Sequence, residues 1–283
     1  MNIKQSVSAI FAGFIVALAI PVAVFAAPST EVVVEADVTR QAENTPPTDN
    51  WVVYSRVGTP DTAATFINGP TTPPAGDGSL KLSTTTGSEK VFAFNFDHIG
   101  KELSSIDAIT YSTYRSAGDA QQVAALNLVV DYNGPSIEGG FTTLVFEPVY
   151  NTDQGAVVSG EWQDWAANGS GVWWSTRAID GQCAGATAAC DKTWDEIVAN
   201  NPDATILGGV GVNQGGGNSG LTTAVDAFTF DDVTYDFEAV APKPVKAQTK
   251  EACKDGGWST FQVQYKNQGD CVSSVVSLGK NKE

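Results

Sequence analysis

The sequence predicts an all-β protein, a two-sheet antiparallel sandwich of jelly-roll type with one short helix and a small disulfide-stapled appendage. Three observations carry this. From Trp51 onward the chain is a series of short strand-like runs cut by turn residues, such as Pro73 to Gly78 and Asn133-Gly134-Pro135. Within the runs apolar residues recur at every second position, as at Phe92, Phe94 and Phe96 or Leu126, Leu128 and Val130. Helical patterns are nearly missing between them, and many short strands without helices pack as two facing sheets.

Each element is read in chain order. Residues 1–26 read as a secretory signal peptide. Lys4 precedes an apolar stretch from Val7 to Ala27 that Pro21 interrupts, and Val24, Phe25 and Ala26 set the cleavage position. An uncleaved anchor is the alternative, because about twenty apolar residues span a bilayer. No cysteine lies near the cut, which excludes a lipoprotein anchor, and no later segment is apolar enough to span a membrane. Residues 27–50 are a polar lead-in. The sandwich covers residues 51–238, with strands expected near 51–55, 63–68, 79–83, 90–96, 108–115, 124–132, 142–150, 172–177, 205–212 and 225–237. The last is long enough to be two strands or to carry a bulge.

Thr193 and Glu196 have the spacing of a capping box, so a helix is expected from Thr193 to about Asn200, where Pro202 prevents continuation. Trp194, Ile197 and Val198 share one face of it and read as packing residues. The stretch 239–250 is a Pro/Lys linker. Residues 251–283 form a separate small unit.

Four cysteines follow an export signal, so disulfides are expected. Three pairings are formally open. The local one, Cys183–Cys190 and Cys253–Cys271, is preferred because each pair lies within its own segment. About thirty residues bury little core, so a bridge in the small unit contributes about 3 kcal/mol by loop closure.

Charge is unevenly distributed: residues 27–240 hold 28 acidic against 8 basic side chains, whereas residues 241–283 hold 7 lysines against 4 acids. The acidic body argues against nucleic acid, whose phosphates it would repel. Catalysis by nucleophile or metal has little support: His98 is the only histidine, so no Ser-His-Asp triad is visible away from it and no histidine-rich zinc site can be built. A glycosidase would need two carboxylates at a set separation, and Glu147 and Glu161 are the first pair to test, since both flank the aromatic segment.

That segment is the main functional signal. Trp162, Trp165, Trp173 and Trp174 fall within thirteen residues. Indole rings fill cores, and they also stack on sugar rings. Adjacent strand residues point to opposite faces, so a sandwich interior takes only one of Trp173 and Trp174. The candidate ligand contacts are therefore Trp162, Trp165, Trp173 and Trp174 for stacking, with Gln163, Asp164, Asn168 and Arg177 for hydroxyl groups. Trp162 and Trp165 have an equally good reading as core.

The tail carries a resemblance. Cys253, Lys254, Gly256, Gly257, Trp258, Phe261, Lys266, Asn267, Gln268, Gly269, Cys271 and Val272 match a short C-terminal module of exported proteins, mainly of Gram-positive bacteria. It covers about a tenth of the chain and implies export to a cell envelope of that kind. The preceding domain is similar in pattern, though in no motif, to jelly-roll carbohydrate-binding modules. Such modules often hold a structural calcium near their terminal strands, which makes Asp226, Asp231, Asp232 and Asp236 the candidate ligands; no other cofactor is expected. The expectation is a secreted, cell-wall-associated or extracellular, non-catalytic protein that binds a carbohydrate or wall polymer. A protein-binding surface protein and a glycoside hydrolase or lyase are the alternatives.

Overall fold

A computed structural model describes residues 27–57, 60–241, 247, 249–260 and 265–280. The expected signal peptide, residues 1–26, lies outside the described residues, as does most of the Pro/Lys stretch after residue 241.

Fifteen strands build two sheets. In chain order they are β1 (Ser29–Val33), β2 (Val38–Ala42), β3 (Trp51–Arg56), β4 (Ala64–Asn68), β5 (Gly78–Ser83), β6 (Lys90–Asn95), β7 (Ile109–Ala117) and β8 (Ala125–Asp131). There follow β9 (Phe141–Phe146), β10 (Trp162–Ala166), β11 (Val172–Ser175), β12 (Lys192–Thr193), β13 (Thr205–Gly215), β14 (Thr222–Phe230) and β15 (Val233–Phe237). One sheet has eight strands in the order β12-β11-β9-β8-β13-β6-β3-β2. The other has seven. There β14 pairs with β7 on one side, and β10 lies beyond β7. On its other side β14 is shared, its first half pairing with β5 and its second half with β15. This change of partner coincides with a bulge between Asp226 and Thr229, where Ala227 has φ 48°.

The predicted sandwich is thus present, and its pairings are antiparallel with two exceptions. β1 runs parallel to β15 and β2 parallel to β3. Both exceptions come from the segment expected as a polar lead-in, which instead supplies one strand to each sheet. Val33 is its only fully buried residue among these two strands, so the apolar period that marks other strands is too weak there to read. Two further features differ from expectation, at β9 and β10, and the open reading of the run 225–237 resolves. β9 stops at Phe146, because Pro148 opens a 3-10 turn. The run 225–237 is two strands, divided by the turn at Asp231 and Asp232. Trp162–Ala166 is a strand, β10, that pairs with β7 from Trp162↔Tyr114 to Ala166↔Thr110.

The core lies between the sheets. Leu126, Leu128, Leu144, Phe146, Val210 and Val212 face inward from the eight-stranded sheet, and meet Leu80, Leu82, Tyr111, Val225, Phe228 and Tyr235 from the other. Each such side chain contributes about 1.5–3 kcal/mol when removed from water. Helix α2 (Trp194–Asn200; α1 is the single turn Pro60–Ala63) closes one part of this core. It starts as the sequence predicts: Glu196 N–H donates to Thr193 Oγ1 at 3.3 Å, and Thr193 N–H donates to Glu196 Oε2 at 3.0 Å. Trp194 and Ile197 are buried, with Trp194 packed on Trp173 at 5.7 Å between ring centroids.

Both local disulfides are formed, Cys183–Cys190 and Cys253–Cys271. The tail has a small core of its own: Cys253, Cys271, Tyr265 and Ala247, covered by Trp258, Val272 and Val275. Its helix α3 spans Gln268–Lys280. Ala247 falls in the stretch assigned to the linker, yet its N–H donates to Tyr265 Oη at 3.1 Å.

Candidate functional site

Strand alternation explains where the candidate site lies. On β3, Trp51 and Val53 join the core while Val52 and Tyr54 face outward; on β6, Val91 and Ala93 face in while Phe92 and Phe94 face out. Both faces of these strands are therefore apolar. The outward set forms a second cluster of Val52, Tyr54, Phe92 and Phe94, edged by Phe96 and Val129. The other sheet does not cover it.

The central strands of the same face carry small residues. Gly211 pairs with Phe94 on one side and Asn127 on the other, and Asn127 in turn pairs with Val145, which pairs with Trp174. Across this row the side chains run large, absent, medium, medium, large. Four strand spacings separate Phe94 from Trp174, about 19 Å. The next row reads Tyr54, Phe92, Asn213 and Ala125. The result is a trough along β13 and β8, with an aromatic wall on β3 and β6 and a second wall on β9 and β11. Glycine is needed on its floor: a Cβ on Gly209 would sit 2.6 Å from the Phe94 ring, and one on Gly211 would sit 2.1 Å from the Ala93 carbonyl oxygen.

A loop flanks one end. Glu43 to Pro47 rise beside the aromatic wall and border an open pocket of about 540 Å³, lined also by Phe94, Phe96, Asn127, Val129 and Phe141. The loop is held by its own chemistry. Asn44 takes the turn with φ 67°, Thr45 Oγ1 donates to Ala42 O at 2.7 Å, and Gln41 Nε2 donates to Pro46 O at 3.2 Å. Arg56 grips Glu43 with two hydrogen bonds.

Polar groups are few and directional. Asn213 Nδ2 donates to Asn127 Oδ1 at 2.6 Å, which leaves Asn127 Nδ2 and Asn213 Oδ1 as donor and acceptor side by side on the floor. Trp174 Nε1 donates to Glu147 Oε2 at 3.0 Å. Burial pushes the Glu147 carboxyl above its ordinary range, against the Trp174 N–H and the Lys90 charge, while Asp191 adds to the rise. Lys90 sits over the Phe92 ring at 4.6 Å; burial lowers its pKa, Arg56 lowers it further, and Glu43 and Glu147 oppose this. At the outer rim the Arg177 guanidinium lies 4.6 Å from the Phe141 ring.

The structure divides the candidates named from the sequence. Trp165 and Trp173 are core residues, 1% and 0% exposed, with their N–H groups donating to Thr113 Oγ1 and Ala167 O. They cannot touch a ligand. Trp162 lies on the seven-stranded sheet, against Tyr114, with Nε1 donating to Pro70 O. Gln163 holds the 156–158 loop through Val158 N–H and Ala156 O. Asp164 accepts from Ser112 Oγ at 2.5 Å, and Asn168 ties Ile109 N–H to Asp107 O. Only Trp174 and Arg177 reach the trough. Adjacency of Trp173 and Trp174 thus resolves by strand parity, one indole to each face.

The paired acids do not meet. Glu147 ends a strand of the eight-stranded sheet, whereas Glu161 is exposed before β10 in the seven-stranded sheet. The four aspartates proposed for calcium also separate. Asp231 accepts from Lys101 Nζ and from Asp107 N–H, and Asp232 is exposed beside it at the turn. Asp226 and Asp236 lie at the far end of the same hairpin, where Asp226 accepts from Ala75 N–H at 2.8 Å and Phe237 N–H at 3.2 Å. Several residues of extended chain divide the two pairs, because the β14–β15 register sets Phe228 opposite Tyr235. Among the described residues no three His, Cys, Asp or Glu side chains gather as a metal site. His98 is structural: Nε2 shares a 2.8 Å hydrogen bond with Tyr235 Oη, and the ring packs on Phe230.

The trough residues Tyr54, Phe92, Phe94, Phe96, Asn127, Asn213, Gly209 and Gly211 were not singled out as ligand contacts by sequence reasoning. A signal existed. The runs Trp51-Val52-Val53-Tyr54 and Val91-Phe92-Ala93-Phe94 are apolar at both parities, which marks a sheet that is apolar on both faces.

No helix among the described residues is long and apolar enough to cross a membrane, and two disulfides indicate an oxidising environment. Comparison with family models, with characterised proteins and with solved structures returns no match.

Proposed function

We propose that the chain is a secreted, non-catalytic carbohydrate-binding protein, and that a glycan of the cell wall or extracellular matrix lies along the trough on the eight-stranded sheet. One observation carries this reading: the Asn127–Asn213 pair offers an unused donor and an unused acceptor on a glycine-lined floor between two aromatic walls. Sugars present that combination in reverse, with adjacent hydroxyls for the amides and C–H faces for the rings. Trp174 supplies a platform on the second wall, held in place by Glu147. Disulfide formation agrees with an exported protein.

The test is retention on insoluble polysaccharides and purified cell walls. Wild type should be retained on at least one glycan, and Asn127→Ala together with Trp174→Ala should weaken retention ten-fold or more while the protein still unfolds cooperatively, at a somewhat lower midpoint because Asn213 loses its acceptor. Absence of retention on every glycan of a broad panel removes the proposal and favours a protein ligand.

A further inference from the structure

The two ends of the trough differ in chemistry. Its middle and upper part carries Asn213, Asn127, Lys90, Glu147 and Trp174, all polar or with a polar tip. Its lower part, lined by Phe96, Val129, Phe141 and two prolines, is continuous with Asn127 in one open pocket of about 540 Å³ beside the Glu43–Pro47 loop. The polar residues at this end are Asn44, Thr45 and Thr143, and the single charged side chain in the lining, Glu43, is engaged with Arg56. A pocket with no free charge selects a neutral, apolar occupant. Sugar rings bring several hydroxyls, each costing free energy when desolvated without a partner. A bare glycan therefore fits the upper part and leaves the lower part unfilled.

We infer that the ligand is amphiphilic: a neutral glycan carrying an acyl or alkyl substituent, with its sugar on Asn127 and Asn213 and its chain in the lower part of the pocket beside the loop. The inference rests on the glycan reading of the trough. It adds a reason for the Phe92–Phe94–Phe96 row, since rings without a polar tip suit methylene groups. Two sources share this chemistry, an ester-substituted polysaccharide and a glycolipid headgroup with its first chain segment.

The experiment titrates the intact chain with n-alkyl glycosides of glucose, galactose and mannose, from methyl to octyl, below their micelle concentrations. Matched n-alkanols serve as the second series. For a sugar that binds, affinity should rise about fourfold per added methylene until the pocket is filled. Phe96→Ala and Phe141→Ala should flatten that slope, and Asn127→Ala should weaken every glycoside by a similar factor while leaving the slope intact. Phe141 is 39% exposed, so its replacement keeps the fold if Phe96→Ala does not. Equal affinity for methyl and octyl glycosides overturns the inference and leaves the glycan reading standing. Alkanols that bind as tightly as glycosides overturn it as well, and remove the glycan reading with it. Retention on acylated polysaccharide that is lost after de-esterification identifies the first source; retention only on glycolipid vesicles identifies the second.

Discussion

The two sheets turn similar faces inward and unlike faces outward. The outer face of the seven-stranded sheet is hydroxylic, with Thr110, Ser112, Thr229 and Thr234, and part of it is paired internally: Ser112 donates to Asp164 and the Thr229 and Thr234 hydroxyls share a 2.8 Å hydrogen bond, while Thr65 Oγ1 and Asp236 Oδ1 are buried without a partner among the described residues. The outer face of the eight-stranded sheet is aromatic, and its Asn127–Asn213 pair keeps one amide donor and one amide acceptor free. A hydroxylic skin offers a ligand little that water does not already offer. An apolar trough with one amide donor and one amide acceptor left over from the Asn213–Asn127 hydrogen bond offers more. The proposed binding site is therefore assigned to the eight-stranded sheet.

Adjacent residues of β11 give the sharpest test of that contrast. Trp173→Ala should destabilise the protein by about 3–5 kcal/mol, read from urea unfolding, because it opens a cavity between Phe146 and Trp194. Trp174→Ala should cost far less stability and should remove glycan retention. Equal stability losses for the two would erase the distinction between core and trough.

The seven-stranded sheet has its own signature in pH. Asp226 is fully buried and its pKa is raised to about 7, chiefly by burial, with the Ala75, Ala227 and Phe237 N–H groups opposing and Asp236 adding to the rise. Asp236 is itself raised by burial and by Glu238 and Asp77. An acid whose folded pKa is raised contributes stability that is whole below its unfolded value, here 3.8, and that is lost as pH rises through the folded value of about 7. Unfolding free energy should therefore fall between about pH 4 and 8, by on the order of 4 kcal/mol from this group. Urea midpoints across that range check the sign, and a midpoint that rises with pH would contradict it. Asp226→Asn should flatten the dependence while lowering stability overall, since an amide cannot accept at both oxygens.

The smallest effect belongs to the hydroxylic skin. Thr229→Val should change stability by about 1 kcal/mol or less and leave glycan retention unchanged. A loss of retention there would move the binding surface to the other sheet.

The sandwich was legible because its inner strands alternate cleanly and because Thr193 and Glu196 cap a helix whose hydrogen bonds are local. The strands β1 and β2 were not, since their pairing partners, β15 and β3, supply almost all the burial and their own side chains show little period. The trough was half legible. Parity alone sent one of Trp173 and Trp174 away from the core, without saying which. The aromatic wall was not legible, because Phe92 and Phe94 alternate as a half-buried strand should, and only the register with Gly211 and Asn213 shows that they face away from the other sheet. Asp226 and Asp236 were grouped with Asp231 and Asp232 because sequence proximity hides the direction of a hairpin.

The parallel pairing of β1 with β15 also sets the order of events in folding. Ser29 finds its partner at Val233, more than two hundred residues later. A chain that emerges with its N-terminus first holds a complete β1 with no edge to join until the last strand of the sandwich has appeared. Such a non-local closure is slow, because the intervening loop must be ordered before the contact rewards it. The final act of assembly is then a clasp between the first and last strands, and its release is the step at which the seven-stranded sheet regains a bare edge.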